Sequence, residues 1–154
     1  MSMSGPDLSG LKVIIHNEKR RALLSNLEGA SFIDVHTVRR LRAEGFVDGA
    51  LERVNAEMLF TIERRGVAKF AEWRDFFIEA MVAYVLPGDV RSVTLAEDRA
   101  AWLLEQADRA RTVTAFLVLL TVLDEAAHVP AWFPQAVNQR SEHGWPGLEA
   151  AVAA

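Results

Sequence analysis

The segment 71–88, "AEWRDFFIEAMVAYVLPG", most strongly constrains what this chain can fold into. Its large apolar side chains recur at intervals of three and four residues, which is the spacing of one face of an α-helix. The Pro-Gly pair that follows is typical of a helix end. We interpret this face as part of a packed core rather than as a cofactor site. The face comprises Trp73, Phe76, Phe77, Ala80, Met81 and Tyr84.

Similar spacing elsewhere predicts that the rest of the domain is also helical. Residues 18–27 predict a short leading helix, and residues 31–65, 70–108 and 112–140 each predict two helices joined by a short turn. Residues 113–123 are apolar on nearly every side, which indicates a buried central helix. The sequence therefore predicts an all-α fold: a single compact domain of about six to eight helices, built from three consecutive helix hairpins around a buried central helix.

Two helix starts carry the pattern of a capping box, in which two side chains each satisfy a free backbone amide of the first turn. Ser31 with Asp34 predicts one start, and Thr94 with Glu97 predicts the other. The first helix would then present an apolar stripe to the core. That stripe comprises Phe32, Val35, Val38 and Leu41.

The chain ends differ in composition from the helical part. The first ten residues are rich in Ser, Gly and Pro, and residues 1–17 are predicted to be a flexible N-terminal lead-in. Residues 18–140 are predicted to form the helical domain. Residues 141–154 combine turn residues with an Ala-rich end and are predicted to be a loosely packed C-terminal tail.

Composition and charge exclude several classes of function. The chain has 154 residues, 51% of them hydrophobic, and no cysteine, so disulfides and thiolate chemistry are absent. The net charge of −4 divides into +1 for residues 1–77 and −5 for residues 78–154, which does not fit a nucleic-acid-binding protein. The longest apolar run is too short to span a membrane. The N terminus lacks the order of a signal peptide, so we expect a cytoplasmic protein.

A metal site is the sharpest chemical alternative in the sequence. Glu125 and His128 form E-x-x-H, which is half of the ligand set of di-iron helix bundles. A second E-x-x-H is absent, so we interpret His128 as the partner of Asp124 at a helix C-terminus, where the helix dipole favours a cation. A mononuclear metal site at Asp124, Glu125 and His128 remains the alternative.

Other catalytic and ligand-binding motifs are missing. Neither Asp48 nor Asp89 lies in the ligand pattern of an EF-hand calcium loop. The chain also lacks the phosphate-binding loop, the dinucleotide-binding motif and the nucleophile elbow. We therefore expect no enzymatic activity and no cofactor. An enzyme that uses an unrecognised pair of carboxylates stays open.

Three aromatic residues fall outside the predicted core stripes. Trp132, Phe133 and Trp145 lie near prolines in segments without clear periodicity. Aromatic residues in such places either cap the core or anchor a partner protein. We treat all three as candidate partner-binding residues.

Three segments resemble the small all-helical bacterial proteins of the TerB-like, tellurite-resistance-associated group. They are "EWRDFFIEAMVAYVL", "VTLAEDRAAWLLEQ" and "FLVLLTVLDEAAHVP". The resemblance implies a helical fold, a link to bacterial stress responses and acidic metal-binding surfaces. Acidic residues are scattered in this chain, so no site residue is carried over from that group.

These observations lead to one main functional hypothesis. The sequence predicts a non-enzymatic helical domain that binds a protein partner, in a bacterial stress response. Neither nucleic acid nor membrane is expected as a partner, and formation of a homodimer stays open. The alternatives are a metal-responsive protein of TerB-like type and, more remotely, the carboxylate enzyme.

Overall fold

A computed structural model describes residues 9–45, 51–87 and 93–145 of the chain. These residues form a single compact helical domain and contain no β-strand, which confirms the predicted all-α fold. A π-helical turn, Leu41–Gly45, continues the second helix. The seven α-helices of the described residues are α1 (Ser9–Glu28), α2 (Val35–Arg40), α3 (Arg53–Arg65), α4 (Ala71–Val85), α5 (Glu97–Ala110), α6 (Val113–Glu125) and α7 (Trp132–His143).

Helix α4 is the centre of the domain. It packs against α2, α3, α5 and α6, and its most extensive contact is with α6. Helix α3 packs mainly on α1 and α5. The largest interfaces therefore join helices that are not neighbours in sequence, which differs from the predicted order of consecutive hairpins. The reason is that one neighbouring helix cannot cover a helix as apolar as α4.

The predicted apolar face of α4 is buried, as its spacing indicated, except for Ala80, which is half-buried. Phe77 packs edge-to-face against Phe60 of α3, with 4.9 Å between the ring centroids. Phe60 also makes an edge-to-face contact with Trp102 of α5. Aromatic rings thus connect the three helices at the middle of the core. The buried members of the predicted face are Trp73, Phe76, Phe77, Met81 and Tyr84.

A buried hydrogen bond fixes α3 against α4. The indole Nε1 of Trp73 donates to Oε1 of Glu63 at 2.9 Å, and both side chains are buried. A buried carboxylate without a partner would be costly, so the indole N–H compensates part of the cost of burying Glu63. The bond also sets the rotation of α4 about its axis.

Two arginines and Tyr84 connect α3, α4 and α5 at the other end of α4. Arg53 donates from Nε to the hydroxyl of Tyr84 at 3.2 Å, and this hydrogen bond raises the pKa of Arg53 above its usual value. The guanidinium of Arg99 lies 4.1 Å from the Tyr84 ring centroid and donates to the Tyr84 carbonyl. Such a cation–π contact adds to the packing of α4 against α5 at this end.

Helix α6 is less buried than the sequence predicted. Ala115, Val118, Leu119 and Val122 are buried, but Val113 is 76% exposed and Leu120 is 42% exposed. One side of α6 packs on α4 and α5, and only a small contact joins it to α7. An apolar run therefore does not make α6 the central helix, because the described helices cover only one of its sides.

The first predicted helix start is wrong. Helix α2 begins at Val35, and its N-cap is Asp34, whose carboxylate accepts from the backbone N–H of Thr37 at 2.9 Å. Ser31 lies outside the helix because the backbone N–H of Ile33 donates to the carbonyl of Val67, which holds the chain extended there. Phe32 is consequently 73% exposed, and the adjacent Ile33 takes its place in the core.

The second predicted helix start fails for the same reason. Helix α5 begins at Glu97, and its N-cap position is Ala96 rather than Thr94. Thr94 instead forms an isolated parallel bridge with His128. In both places a backbone hydrogen bond to a distant segment holds the chain extended where the sequence predicted the start of a helix.

Two helices extend past the bounds predicted for the helical domain. Helix α1 begins at Ser9, inside the predicted lead-in 1–17, and α7 continues to His143, inside the predicted tail 141–154. Residues 1–8 and 146–154 lie outside the described residues, so the predictions for them stay predictions.

Substitution of one buried and one exposed phenylalanine tests which of the two rings packs in the core. Phe77→Ala is expected to lower the free energy of unfolding by about 3–5 kcal/mol, because a fully buried ring is lost and a cavity remains. Phe32→Ala removes the same ring from an exposed position and should change it by less than about 0.5 kcal/mol. Denaturant titration measures both values. Equal losses would show that Phe32 packs in the core and would contradict the structure.

The N-cap of α2 predicts a pH-dependent contribution to stability. The backbone N–H of Thr37, followed by its hydroxyl, lowers the pKa of Asp34 below its usual value. A lowered folded-state pKa means that the stabilisation is present above the unfolded-state pKa and is lost as the pH falls through the folded-state pKa.

Asp34→Ala should therefore lower the melting temperature at neutral pH, and the difference from the wild type should disappear in strong acid. Asp34→Asn keeps a capping acceptor and should lie close to the wild type at neutral pH. Thermal melts across the acidic range measure this. A gap between wild type and Asp34→Ala that does not change with pH would contradict the assignment of the cap.

Candidate functional site

An apolar groove of about 640 Å³ lies between α4 and α6. Its walls come from the two helices, and Val93, which precedes α5, lies at one end. Most lining side chains are aliphatic, and the charged ones are two glutamates. The lining residues are Ile78, Glu79, Val82, Ala83, Leu86, Val93, Thr121 and Glu125.

The sequence builds the groove from a second face of α4. Glu79, Val82, Ala83 and Leu86 have the spacing i, i+3, i+4 and i+7, which places them along one side of the helix. Thr121 and Glu125, four residues apart on α6, form the facing wall. Ala83 is small and exposed, and it leaves the space between the walls open.

Backbone hydrogen bonds fix the end of the groove. The N–H of Ala127 donates to the carbonyl of Val93 at 2.8 Å, and the N–H of Leu95 donates to the carbonyl of His128 at 2.8 Å. These bonds tie the segment before α5 to the segment after α6. They hold Val93 in place beside the C-terminal end of α6.

The predicted metal residues do not form a metal site. Helix α6 ends at Glu125, and Ala126 is already extended. Glu125 and His128 therefore do not share a helix face, and the predicted pairing of His128 with Asp124 on the helix is wrong as well. In the part of the chain that the structure describes, no group of three His, Asp or Glu side chains could hold a metal ion. The observed role of His128 is its backbone contact with Thr94 and Leu95.

The edges of the groove are acidic. Glu79 and Glu125 are exposed at its walls, and Asp124 is exposed beside Glu125. Glu79 forms an ion pair with Arg42 at the surface. The partial negative charge at the C-terminal end of α6 adds to that of Asp124 and Glu125. No cation lines the groove within the described residues.

The three predicted aromatic contact residues differ in exposure. Phe133 is 0% exposed and belongs to the core, so its assignment to a contact surface is wrong. Trp132 is half-buried, and its indole N–H donates to Glu97. Trp145 is half-buried against Phe116, with 6.1 Å between the ring centroids. Trp132 and Trp145 thus each have a partner inside the domain.

Phe133 is buried because α7 is held against α5. The guanidinium of Arg140 forms two hydrogen bonds with the carboxylate of Asp108, at 2.6 and 2.7 Å. Bidentate pairs of this type have defined geometry and are among the stronger surface interactions. They place the inner side of α7, with Phe133 and Val137, over the core.

Sequence reasoning missed the groove, although the sequence contains an indication of it. Ile78, Val82 and Leu86 are apolar but do not belong to the main stripe of α4. A helix with apolar residues on a second side needs a second partner. The apolar run of α6 supplies only one wall, so part of this second side is left uncovered.

Comparison with protein-family models, curated proteins and solved structures finds no match for this chain. The resemblance to TerB-like proteins is neither supported nor opposed by these comparisons. Within the described residues, none of the helices combines the length and the hydrophobicity required to cross a membrane. The chemistry of this chain's own residues is therefore the basis on which its function is inferred.

The structure makes a direct prediction about metal binding. His128→Ala is expected to leave any change in melting temperature caused by zinc or nickel the same as in the wild type, because His128 does not converge with two other ligands among the described residues. Differential scanning fluorimetry with and without metal measures this. A stabilisation by metal that is lost in His128→Ala would contradict this prediction and would show that His128 is a metal ligand.

Proposed function

We propose that this chain is a non-enzymatic protein-interaction domain that binds an amphipathic helix of another protein. The observation that carries the proposal is the apolar groove between α4 and α6. Apolar surfaces rimmed by polar residues often mark protein-interaction sites, and an apolar groove can receive the apolar face of a helix. Of its aliphatic lining, Ile78, Ala83 and Val93 remain partly or fully exposed, and this favours an occupant with an apolar face.

The shape of the groove favours a helix as the occupant. Two helices form its walls, and an amphipathic helix can place its apolar face between them. The outer side of α6 extends the apolar surface beyond the groove. Val113, Leu117 and Leu120 lie along that side at intervals of four and three residues, and Leu120 is adjacent in sequence to Thr121 of the groove wall.

The charge around the groove favours a basic partner. Glu125, Asp124 and the C-terminal end of α6 are negative, and residues 78–154 carry a net charge of −5. A second copy of this chain would bring the same carboxylates to the interface, where like charges repel. A partner helix with an apolar stripe flanked by lysine or arginine fits both features of the groove.

The biological setting is part of the same proposal. The resemblance to TerB-like proteins supports a role in a bacterial stress response, and the lack of cysteine fits the reducing cytoplasm. In this proposal Trp132 and Trp145 lie outside the α4–α6 groove, which is the main contact with the partner. No observation in the described residues favours the metal-responsive alternative.

A designed peptide can stand in for the natural partner and tests the proposal. The probe is a helical peptide with a leucine stripe and lysines on both flanks, and its control carries glutamates in place of the lysines. The lysine peptide is expected to bind more tightly, with methyl NMR shifts concentrated at Ile78, Val82, Leu86 and Thr121. Its affinity should fall with salt, because charge attraction contributes to the binding.

Two matched arginine variants show where the peptide binds. Ala83→Arg places a long cation in the groove and should weaken binding by about tenfold or more, equivalent to about 1.4 kcal/mol. Ala101→Arg makes the same change at an exposed position beside Trp132 and should leave the affinity within about twofold of the wild type. Loss of binding in Ala101→Arg alone would place the contact at the Trp132 surface and contradict the proposal. A glutamate peptide that binds as well would contradict the charge argument.

A further inference from the structure

A second groove of about 610 Å³ is lined by cations, in contrast to the acidic α4–α6 groove. It lies between the C-terminal end of α3, the connection 66–70, the start of α4 and the start of α6. Arg64, Arg65, Lys69 and Arg74 line it, and Glu63 is its only acidic residue among those described. Four cations therefore face one carboxylate in a chain whose net charge is −4.

Within the described residues, three cations of this groove, Arg64, Lys69 and Arg74, are not balanced by carboxylates. Glu63 is buried and accepts the indole N–H of Trp73. Within the described residues, Arg64, Lys69 and Arg74 form no ion pair, and all three are exposed. Their like charges repel one another, so a bound anion would relieve an unfavourable arrangement.

The position of Arg74 is unfavourable for the helix that carries it. Arg74 is the fourth residue of α4, close to the positive end of the helix dipole, where an anionic side chain would be preferred. Arg64, in the last turn of α3, has the ordinary helix-terminal explanation for a cation. Helix stability therefore explains Arg64 but not Arg74.

Backbone donors lie on the opposite side of the groove. The Thr112 hydroxyl oxygen accepts from the N–H of Ala115 at 3.1 Å and caps α6. This cap leaves the first-turn N–H groups of Val113 and Thr114 without partners inside the helix. Thr112, Val113 and Thr114 all line the groove. The backbone donors thus add to the attraction that the arginines and the lysine exert on an anion.

We propose that this groove binds the phosphate group of a small molecule. Two guanidinium groups and an ammonium group suit a doubly charged oxyanion, because arginine offers paired donors and lysine offers a compact charge. The groove is several times larger than one phosphate group, so an organic part of the ligand can lie beside Phe70. This surface differs from the α4–α6 groove, and the inference does not depend on the proposed function.

NMR titration of the whole chain at constant ionic strength tests the inference. The probes are inorganic phosphate and glycerol 3-phosphate, which separate free phosphate from a phosphate ester as the source of the anion. At least one probe is expected to give saturable amide shifts at Gly66, Val113 and Thr114. The probe that binds more tightly identifies the ligand class. If neither probe shifts these amides saturably, the site is refuted, and this result does not depend on any variant.

A pair of charge-matched double variants separates the groove from the overall charge. Lys69→Gln with Arg74→Gln removes two cations of the groove and should raise the Kd by about tenfold or more, because each contributes a charge-assisted hydrogen bond. Lys19→Gln with Arg39→Gln removes two exposed cations elsewhere and should leave the Kd within about twofold of the wild type. Equal weakening in both double variants would mean that only the net charge attracts phosphate, and the site would be refuted. Thermal melts of both variants check that the fold is retained.

Discussion

The apolar surface of α4 is the constraint on which the rest of this domain depends. The helix has one face of large aromatic residues and a second, aliphatic face, and a single neighbouring helix cannot cover both. Helices α2, α3, α5 and α6 therefore surround it, although none of the largest interfaces joins neighbours in sequence. The hydrogen bond between Trp73 and Glu63 fixes the aromatic face against α3. What these helices do not cover is the side with Glu79 and Ala83, and that side becomes the groove.

Much of the fold could be predicted from periodicity, because helix spacing is a local property of the sequence. The residues of α4 that the sequence assigned to the core are buried except for the half-buried Ala80, and all predicted helical segments contain helices. The helix starts at Ser31 and Thr94 could not be predicted in the same way. Hydrogen bonds from Ile33 to Val67 and from Leu95 to His128 hold those segments extended, and such partners are invisible to a pattern read along the chain.

The candidate site was predicted less well than the fold. Spacing drew attention to His128, but α6 ends before it, so helical geometry does not apply. Irregular sequence drew attention to Phe133, but the Arg140–Asp108 pair holds α7 over the core and buries that ring. Both grooves instead form between segments distant in sequence. The charged residues of each groove come together only in the folded structure. Carboxylates lie at the α4–α6 groove, and cations lie at the groove between α3, α4 and α6.

The exposure of the α4–α6 groove in solution is the central claim, and solvent paramagnetic relaxation of methyl groups measures it most directly. Leu119 and Leu120 are a matched pair of neighbours on α6, one fully buried and the other 42% exposed. A soluble gadolinium chelate is predicted to enhance relaxation strongly at Leu120, measurably at Ile78 and Thr121 of the groove walls, and only weakly at Leu119. Protection of Ile78, Thr121 and Leu120 to the level of Leu119 would show that the groove is covered in the free protein and would contradict the account.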